Sequence, residues 1–337
     1  MKAGVLKAIN TDIQVEEVGE PAIGEEDVLV EQNLTGICYR DILTQEGFFP
    51  RVKTPIIPGH EISGRIVKKG RLVKGFEIGD RVSSLIYVPC GKCEFCLRGD
   101  ENLCPNKRTF GESINGAYAR YVSIPQISLV KVPDGVGDAD ASIAACVTGM
   151  VYHALNTVGQ IKSGDWVLIT GSGGGVGLNA VQVAKALGAH VIAETSSKFK
   201  TETIAKQGAE FIVTGDHFDK EVKKITGDGV EIALDTVGSP TFEDSLRSLR
   251  FGGKLVTIGN VSPNPVPLPL GLIIVKGNSV RGSISSTRED MKKVLELARE
   301  GKLKAATHKI IELEQINDAY KEMKEKKSTG RIMIHVG

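Results

Sequence analysis

The sequence predicts an α/β fold in which a doubly wound parallel sheet is inserted into a split, β-rich domain. Three observations predict it. Residues 1–130 carry short apolar runs punctuated by glycine and proline, the pattern of a β-rich region. From Trp166 onward, strand-like runs alternate with amphipathic stretches, the signature of parallel βαβ units. A last apolar run, 330–336, has strand character and returns to the first region. The outer domain is placed at 1–147 and 283–337 and the inserted domain at 148–282.

The elements follow in order. Runs 28–30, 62–67 and 81–88 read as strands of the outer domain, and 130–135 as its exit. Residues 166–170 form a buried strand that runs into a glycine loop and then a one-sided helix over 179–187. Further strands are expected at 190–193, 211–213, 232–235 and 254–258. The four prolines within 261–269 make that stretch a loop. Residues 288–300 have the spacing of an amphipathic helix, and 320–327 form a charge-rich, solvated helical face. No repeat or low-complexity segment interrupts the pattern.

Composition excludes several classes. Of 337 residues, 41% are hydrophobic and 25% charged, as in an ordinary globular protein. A net charge of +1 lacks the basic excess of a nucleic-acid binder. The start, Met1 to Lys7, has no long apolar core of an export signal, and no run of about 18 apolar residues spans a membrane. The expectation is a cytoplasmic protein with a small-molecule substrate. In a reducing compartment, clustered thiols favour metal over disulfides.

Four of the six cysteines, Cys90, Cys93, Cys96 and Cys104, lie within one short stretch (90–104) spaced C-x2-C-x2-C-x7-C. Four thiolates so close in sequence wrap one tetrahedral zinc, a structural site; disulfides or a lobe without metal are the alternatives.

Gly171-Ser172-Gly173-Gly174-Gly175-Val176-Gly177 sits between strand and helix. Glycine allows a tight turn and close approach of backbone to a pyrophosphate, and the helix N-terminus offers N–H groups and partial positive charge. Gly171, Gly174 and Gly177 give G-x-x-G-x-x-G, a variant of the usual spacing. Cofactor contacts are expected from Gly171, Ser172, Gly174, Gly175, Val176 and Gly177, and later from Thr236, Val237 and Gly259. An NAD enzyme usually ends its second strand with an acid on the ribose 2′-hydroxyl. By count that position holds Thr195, followed by Ser196, Ser197, Lys198 and Lys200, which suit a 2′-phosphate. NADP(H) is therefore preferred over NAD(H), although Glu194, one position earlier, restores an acid if the register slips.

Three further candidate ligands are scattered: Cys38, His60 and Cys146. Together they would make a Cys2His zinc site with an open fourth position, where the metal acts as a Lewis acid. Singly, each is equally well a core residue.

In order along the chain, Cys38, Gly59-His60-Glu61, the four-cysteine lobe, Cys146, the glycine loop and Asp235-Thr236-Val237-Gly238 resemble the zinc-dependent medium-chain dehydrogenase/reductase family, the alcohol dehydrogenase superfamily. The resemblance covers essentially the whole chain. It implies a Rossmann domain inserted into a GroES-like catalytic domain, two zincs per chain, and a homodimer or homotetramer, built by pairing sheet edges through 272–275. It implies catalytic zinc on Cys38, His60 and Cys146, with Glu61 beside the metal as an exchangeable ligand. Asp41 matches a carboxylate that orients the zinc-bound histidine, and Arg331 a basic residue near the cofactor phosphates.

The family pattern breaks where a proton must leave. Members commonly carry Ser or Thr two residues after the first cysteine ligand, and many a His five after it; here stand Arg40 and Leu43. Arginine stays protonated and leucine has no exchangeable proton. The segments 38–41 and 146–150 are also similar to archaeal acryloyl-CoA reductases. The leading expectation is a zinc-dependent NADP(H) oxidoreductase acting on a C–OH/C=O pair. The alternative is an NADPH-dependent 2-enoyl-CoA reductase, in which Arg40, zinc or backbone N–H groups stabilise charge on the thioester oxygen.

Overall fold

The computed structural model describes residues 1–262 and 264–337. They divide into two compact units: Met1–Gly149 with Ser285–Gly301 and Thr307–Gly337, and Met150–Ile284 with Lys302–Ala306.

In the first unit an antiparallel sheet of five strands runs in the order Leu129–Lys131, Arg81–Ser84, Ser63–Lys69, Asp27–Glu31, Tyr121–Pro125. Its β-branched residues Val28, Val30, Ile66, Val82, Val122 and Ile124 fill one core. Each such side chain contributes about 1.5–3 kcal/mol when fully buried. The run 81–88, read as one strand, is two: after Ser84 the chain turns, and Tyr87–Val88 pairs with Arg108–Thr109 instead.

A second sheet in this unit ties the chain's end to its beginning. Thr307–Glu312 lies parallel to Arg331–His335, which lies antiparallel to Leu34–Gly36. The register continues to Ile37, whose N–H donates to the Ile332 carbonyl at 2.9 Å. Ile37, Ile42, Tyr118, Tyr320, Ile332 and Ile334 close a second core around this junction. That packing brings Arg331 to the segment that leads into Cys38.

The second unit holds six parallel strands in the order Phe211–Val213, His190–Glu194, Trp166–Ile169, Val230–Asp235, Leu249–Thr257, Ser279–Gly282. Their spatial order reverses between Trp166–Ile169 and Val230–Asp235, and sheets of this kind bind ligands beyond the carboxyl ends of the strands at such a switch. Leu168, Ile192, Ala233 and Leu255 from four neighbouring strands share its core.

Several details differ from the sequence reading. The helix expected over 179–187 is Gly177–Ala186 and starts at the last glycine of the loop. The apolar run 272–275 is not a sheet edge: it lies in the helix Leu270–Lys276, entered from Pro269, and the edge strand is Ser279–Gly282. Residues 302–306 cluster with the second unit because the Lys304 N–H and carbonyl both bond Gln182. Of the loop expected at 261–269, Pro263 lies outside the described residues. Among the described residues no helix is long and apolar enough to cross a membrane.

Candidate active site

Cys38 ends an extended segment and caps the helix Tyr39–Gln45; its N–H donates to Asp41 Oδ2 at 2.9 Å. That local contact fixes the carboxylate of Asp41, which is buried and whose Oδ1 lies 3.0 Å from His60 Nδ1. On the other side of the ring, His60 Nε2 lies 3.2 Å from Cys146 Sγ, which lies 3.7 Å from Cys38 Sγ. Cys146 sits on a π-helical turn, Ala144–Gly149. Donor atoms of Cys38, His60, Glu61 and Cys146 all lie within 4.8 Å of one another. Two sulfurs bound at about 2.3 Å to one tetrahedral ion lie roughly 3.8 Å apart, so the Cys38–Cys146 spacing fits zinc.

The buried groups also perturb one another's protonation, and Cys38, followed by burial, pushes the Cys146 thiol well up. Cys146, His60's imidazole and Arg331 hold the Cys38 thiol well below its usual range, against the effect of burial. Burial opposes charge on His60, but Asp41 and Cys38 outweigh it and bring its pKa up to about 10. Behind Asp41 runs a buried chain of hydroxyls: Tyr118 donates to Asp41 Oδ2 at 2.7 Å, and Tyr320 to the Tyr118 oxygen at 3.3 Å. Burial, then Asp41, pushes the Tyr118 phenol well up, so it acts as a donor.

Glu61 is fully buried. Its carboxylate is ion-paired with the Arg331 guanidinium, whose Nε lies 3.1 Å from Oε2 and whose Nη2 lies 3.8 Å from Cys146 Sγ. Arg331, matched by resemblance to a cofactor-phosphate residue, is thus engaged with the cysteine–histidine cluster and only 3% exposed.

Arg40 turns its guanidinium over the Phe49 ring, 4.2 Å from the centroid, and its Nε onto the buried carboxylate of Glu112. Burial disfavours its charge, but Glu112, Cys38 and Cys146 together raise its pKa. Leu43 and Arg40 leave no proton-exchanging hydroxyl or imidazole at those two positions.

The four-cysteine stretch closes on itself around a short helix, Glu94–Leu97. Cys93 Sγ lies 3.5 Å from Cys96 Sγ, and Cys90 Sγ 4.0 Å from it. Cys104 accepts the Cys90 N–H at 3.3 Å, and all six cysteines are free thiols. The Lys92 N–H, aimed at Cys90, holds that thiol down at about 6, suited to metal ligation. A third group, His217, Asp219 and Asp244, is occupied by surface ion pairs with Lys223 and His217 itself.

In the second unit the glycine loop is held from below. Gly171 has φ +61°, and a Cβ there would meet Thr236 Oγ1 at 2.8 Å. A Cβ on Gly177 would lie 2.5 Å from Ser172 Cα. The loop therefore leaves a bare backbone cradle at the switch point, the shape a pyrophosphate requires. Glu194 does not face outward as a ribose acid would: it is 5% exposed, and its Oε2 accepts the Gly171 N–H at 3.0 Å. Thr195 Oγ1 accepts the Ser197 N–H at 3.2 Å, Ser196 is exposed, and the stem of buried Lys200 crosses Gly173. Asp235 organises the next strand end: its Oδ1 accepts from Val237 N–H, Gly238 N–H and the hydroxyls of Thr170 and Thr241, all at 2.9 Å. Thr236 Oγ1 donates to the Thr170 carbonyl, and Gly259 packs on Thr236. Ser172 is buried, with Gly174, Gly175 and Val176 leading into the helix.

Sequence reasoning missed Glu112, Phe49, Tyr118, Tyr320 and the roles of Glu194 and Asp235. The partners of Glu112, Tyr118 and Tyr320 lie 72 or more positions away, so no local spacing announces them.

A parallel dinucleotide-type sheet in one unit and a cysteine–histidine cluster suited to a metal in the other are the features of a zinc-binding dehydrogenase. Residues 24–134 match the alcohol dehydrogenase GroES-like domain and 175–300 the zinc-binding dehydrogenase family. The chain belongs to this family and is an oxidoreductase of the alcohol dehydrogenase type. It is 43% identical over 335 residues to an acryloyl-coenzyme A reductase of Sulfurisphaera tokodaii, covering 99% of each chain. It is 36% identical to an alcohol dehydrogenase of Geobacillus stearothermophilus, covering 99% of this chain and 98% of the other. A crystal structure of an NAD-dependent alcohol dehydrogenase superposes with TM-score 0.94 at 29% identity, covering 100% of both chains.

Proposed function

We propose that the protein is an NADPH-dependent reductase of 2-enoyl thioesters such as acryloyl-CoA, with two zincs per chain. The observation that carries this reading is Arg40. A permanently charged group, anchored by Glu112 and Phe49, stands where alcohol dehydrogenases of the family commonly carry a proton-relaying hydroxyl. Similarity to a named acryloyl-coenzyme A reductase points the same way. The C–OH/C=O reading keeps its support in the complete donor set Cys38, His60 and Cys146.

Cys38, His60 and Cys146 would hold one zinc, with Glu61 as neighbour, and Cys90, Cys93, Cys96 and Cys104 the other. Zinc supplies a Lewis acid for a substrate oxygen. Asp41 fixes the tautomer of His60, and Tyr118 fixes Asp41. The preference for NADP(H) rests on Glu194 being engaged with Gly171, which leaves Thr195, Ser196, Ser197 and Lys200 around the 2′ position. Gly171, Ser172, Gly174, Gly175, Val176 and Gly177 take the pyrophosphate, with Thr236, Val237 and Gly259 lining the adjacent strand ends. Arg331 reaches cofactor phosphates only if it keeps its hold on Glu61 with another nitrogen.

A homodimer or homotetramer fits the free side of the edge strand Ser279–Gly282 and the exposed Ile274 and Val275, at 76% and 74%, on the helix before it. A cytoplasmic location fits the free thiols. The test is NADPH oxidation with acryloyl-CoA against aldehydes and ketones. Turnover of the thioester alone supports the proposal; turnover of carbonyls alone refutes it in favour of the alcohol dehydrogenase reading.

A further inference from the structure

We propose that Arg40 is a substrate-binding residue whose free guanidinium edge meets the thioester carbonyl oxygen as negative charge builds there. The inference rests on the enoyl-thioester reading and gives that site its specificity determinant.

Three observations carry it. Arg40 is the second residue of the helix capped by Cys38, so a single turn of backbone ties it to the cysteine–histidine cluster. Its side chain is held rather than mobile: the ring of Phe49 lies 4.2 Å below the guanidinium, and the carboxylate of Glu112, 10% exposed, takes Nε. Only that one donor is used. A guanidinium has five N–H donors, and Nη1 and Nη2 have no partner among the described residues, while the side chain keeps 34% exposure. A fixed fork with a vacant donor edge remains.

The local charge also favours an anionic oxygen. Burial and, after it, Arg40 lower the pKa of Lys107, whose ammonium lies 5.3 Å from the Tyr87 ring centroid and donates to the Asn102 carbonyl. Arg40 takes the carboxylate of Glu112, and Lys107 adds a second positive charge nearby. Donors placed in advance at a developing oxyanion are the commonest large contribution to rate, and they cost no reorganisation during the reaction.

The chemistry balances. The β-carbon of the enoyl thioester accepts hydride from the reduced nicotinamide, the C=C π pair shifts, and the thioester oxygen becomes an enolate oxygen. Reformation of the carbonyl takes one proton from water onto the α-carbon, leaving the saturated thioester and the oxidised nicotinamide. Arg40 donates hydrogen bonds to the enolate oxygen throughout and loses no proton.

The experiment uses the metal-loaded enzyme with NADPH and two substrates: acryloyl-CoA and the acryloyl thioester of N-acetylcysteamine, which has no phosphate. Arg40→Gln is expected to lower kcat about 100- to 1,000-fold on both thioesters, with metal content and Tm unchanged. Arg40→Lys, which keeps the charge without the fork, should recover roughly tenfold of that loss. Should Arg40→Gln fail to fold, Arg40→Lys and Glu112→Gln carry the test. Each is expected to lower kcat at least about tenfold on both substrates. An unchanged kcat overturns the assignment. A loss confined to KM for the CoA ester, absent with the short thioester, also overturns it and places Arg40 on a CoA phosphate. A wild type inactive on both thioesters overturns the enoyl-thioester reading, and this assignment with it.

Discussion

Replacing Arg331 by methionine should unfold the first unit at a markedly lower temperature, and the size of the effect follows from burial. Glu61 and Arg331 have side chains 0% and 4% exposed, so neither charge has water to fall back on. Removing the guanidinium leaves a carboxylate in the core beside Cys146 and Gly36, with only a methionine in contact. Breaking a buried pair from one side costs about 3–5 kcal/mol. For a unit of this size, at roughly 2–4 °C per kcal/mol, Tm should fall by about 6–20 °C. The informative comparison is a double-mutant cycle with Glu61→Gln, read by calorimetry at pH 7 with metal content measured on every variant. Glu61→Gln in the Arg331→Met background should restore stability, because the neutral amide carries no unpaired charge. Arg331→Met within about 1 kcal/mol of wild type, or a double variant no more stable than Arg331→Met, would refute the pairing as the reason for burial.

Three further outcomes are expected. Gly177→Ala should abolish detectable dinucleotide binding by fluorescence titration while leaving metal content intact, because the new Cβ lies 2.5 Å from Ser172 Cα and the cradle must open; unaltered affinity would remove the loop from the cofactor site. Cys104→Ser should reduce the metal count from two to one per chain, by elemental analysis, and lower Tm; Cys146→Ala should reduce the count equally but also abolish turnover, and a wild-type count of one would leave only the four-cysteine lobe. Glu322, held below its ordinary pKa of 4.5 first by the Lys309 ammonium and then by His308, contributes stability that is present above pH 4.5 and lost as pH falls through its folded value. Glu322→Gln should therefore be less stable than wild type by on the order of 0.2–1 kcal/mol near neutrality, with the gap closing in acid; a gap independent of pH would exclude the carboxylate as its source.

The parts of the fold legible in the sequence are those with short-range causes. The strand Trp166–Ile169, the glycine loop and its helix share one local rule, and both the cofactor cradle and the parallel sheet were read from it. The four-cysteine lobe was equally legible because its thiols lie within one short stretch. The stretch 272–275 was misread because an apolar run of four residues has no periodicity that separates strand from helix. The ambiguity at Glu194 was real in sequence. What the tertiary structure adds is the place of that side chain, beneath the Gly171 N–H and across from the neighbouring strand end.

Residue types and their order thus determined the class of chemistry: thiolates, an imidazole and a phosphate cradle are properties of side chains and local backbone. Tertiary structure decided which of them meet. His60 is brought to Cys146 across 86 positions, and Arg331 to Glu61 across 270. The strand Arg331–His335, laid against Leu34–Gly36, carries Arg331 there. The same holds for Arg40, a surface-type residue in the sequence that Glu112, 72 positions away, turns into a fixed cation. Such contacts arise from packing, and packing is specified by the whole core rather than by any window of the chain.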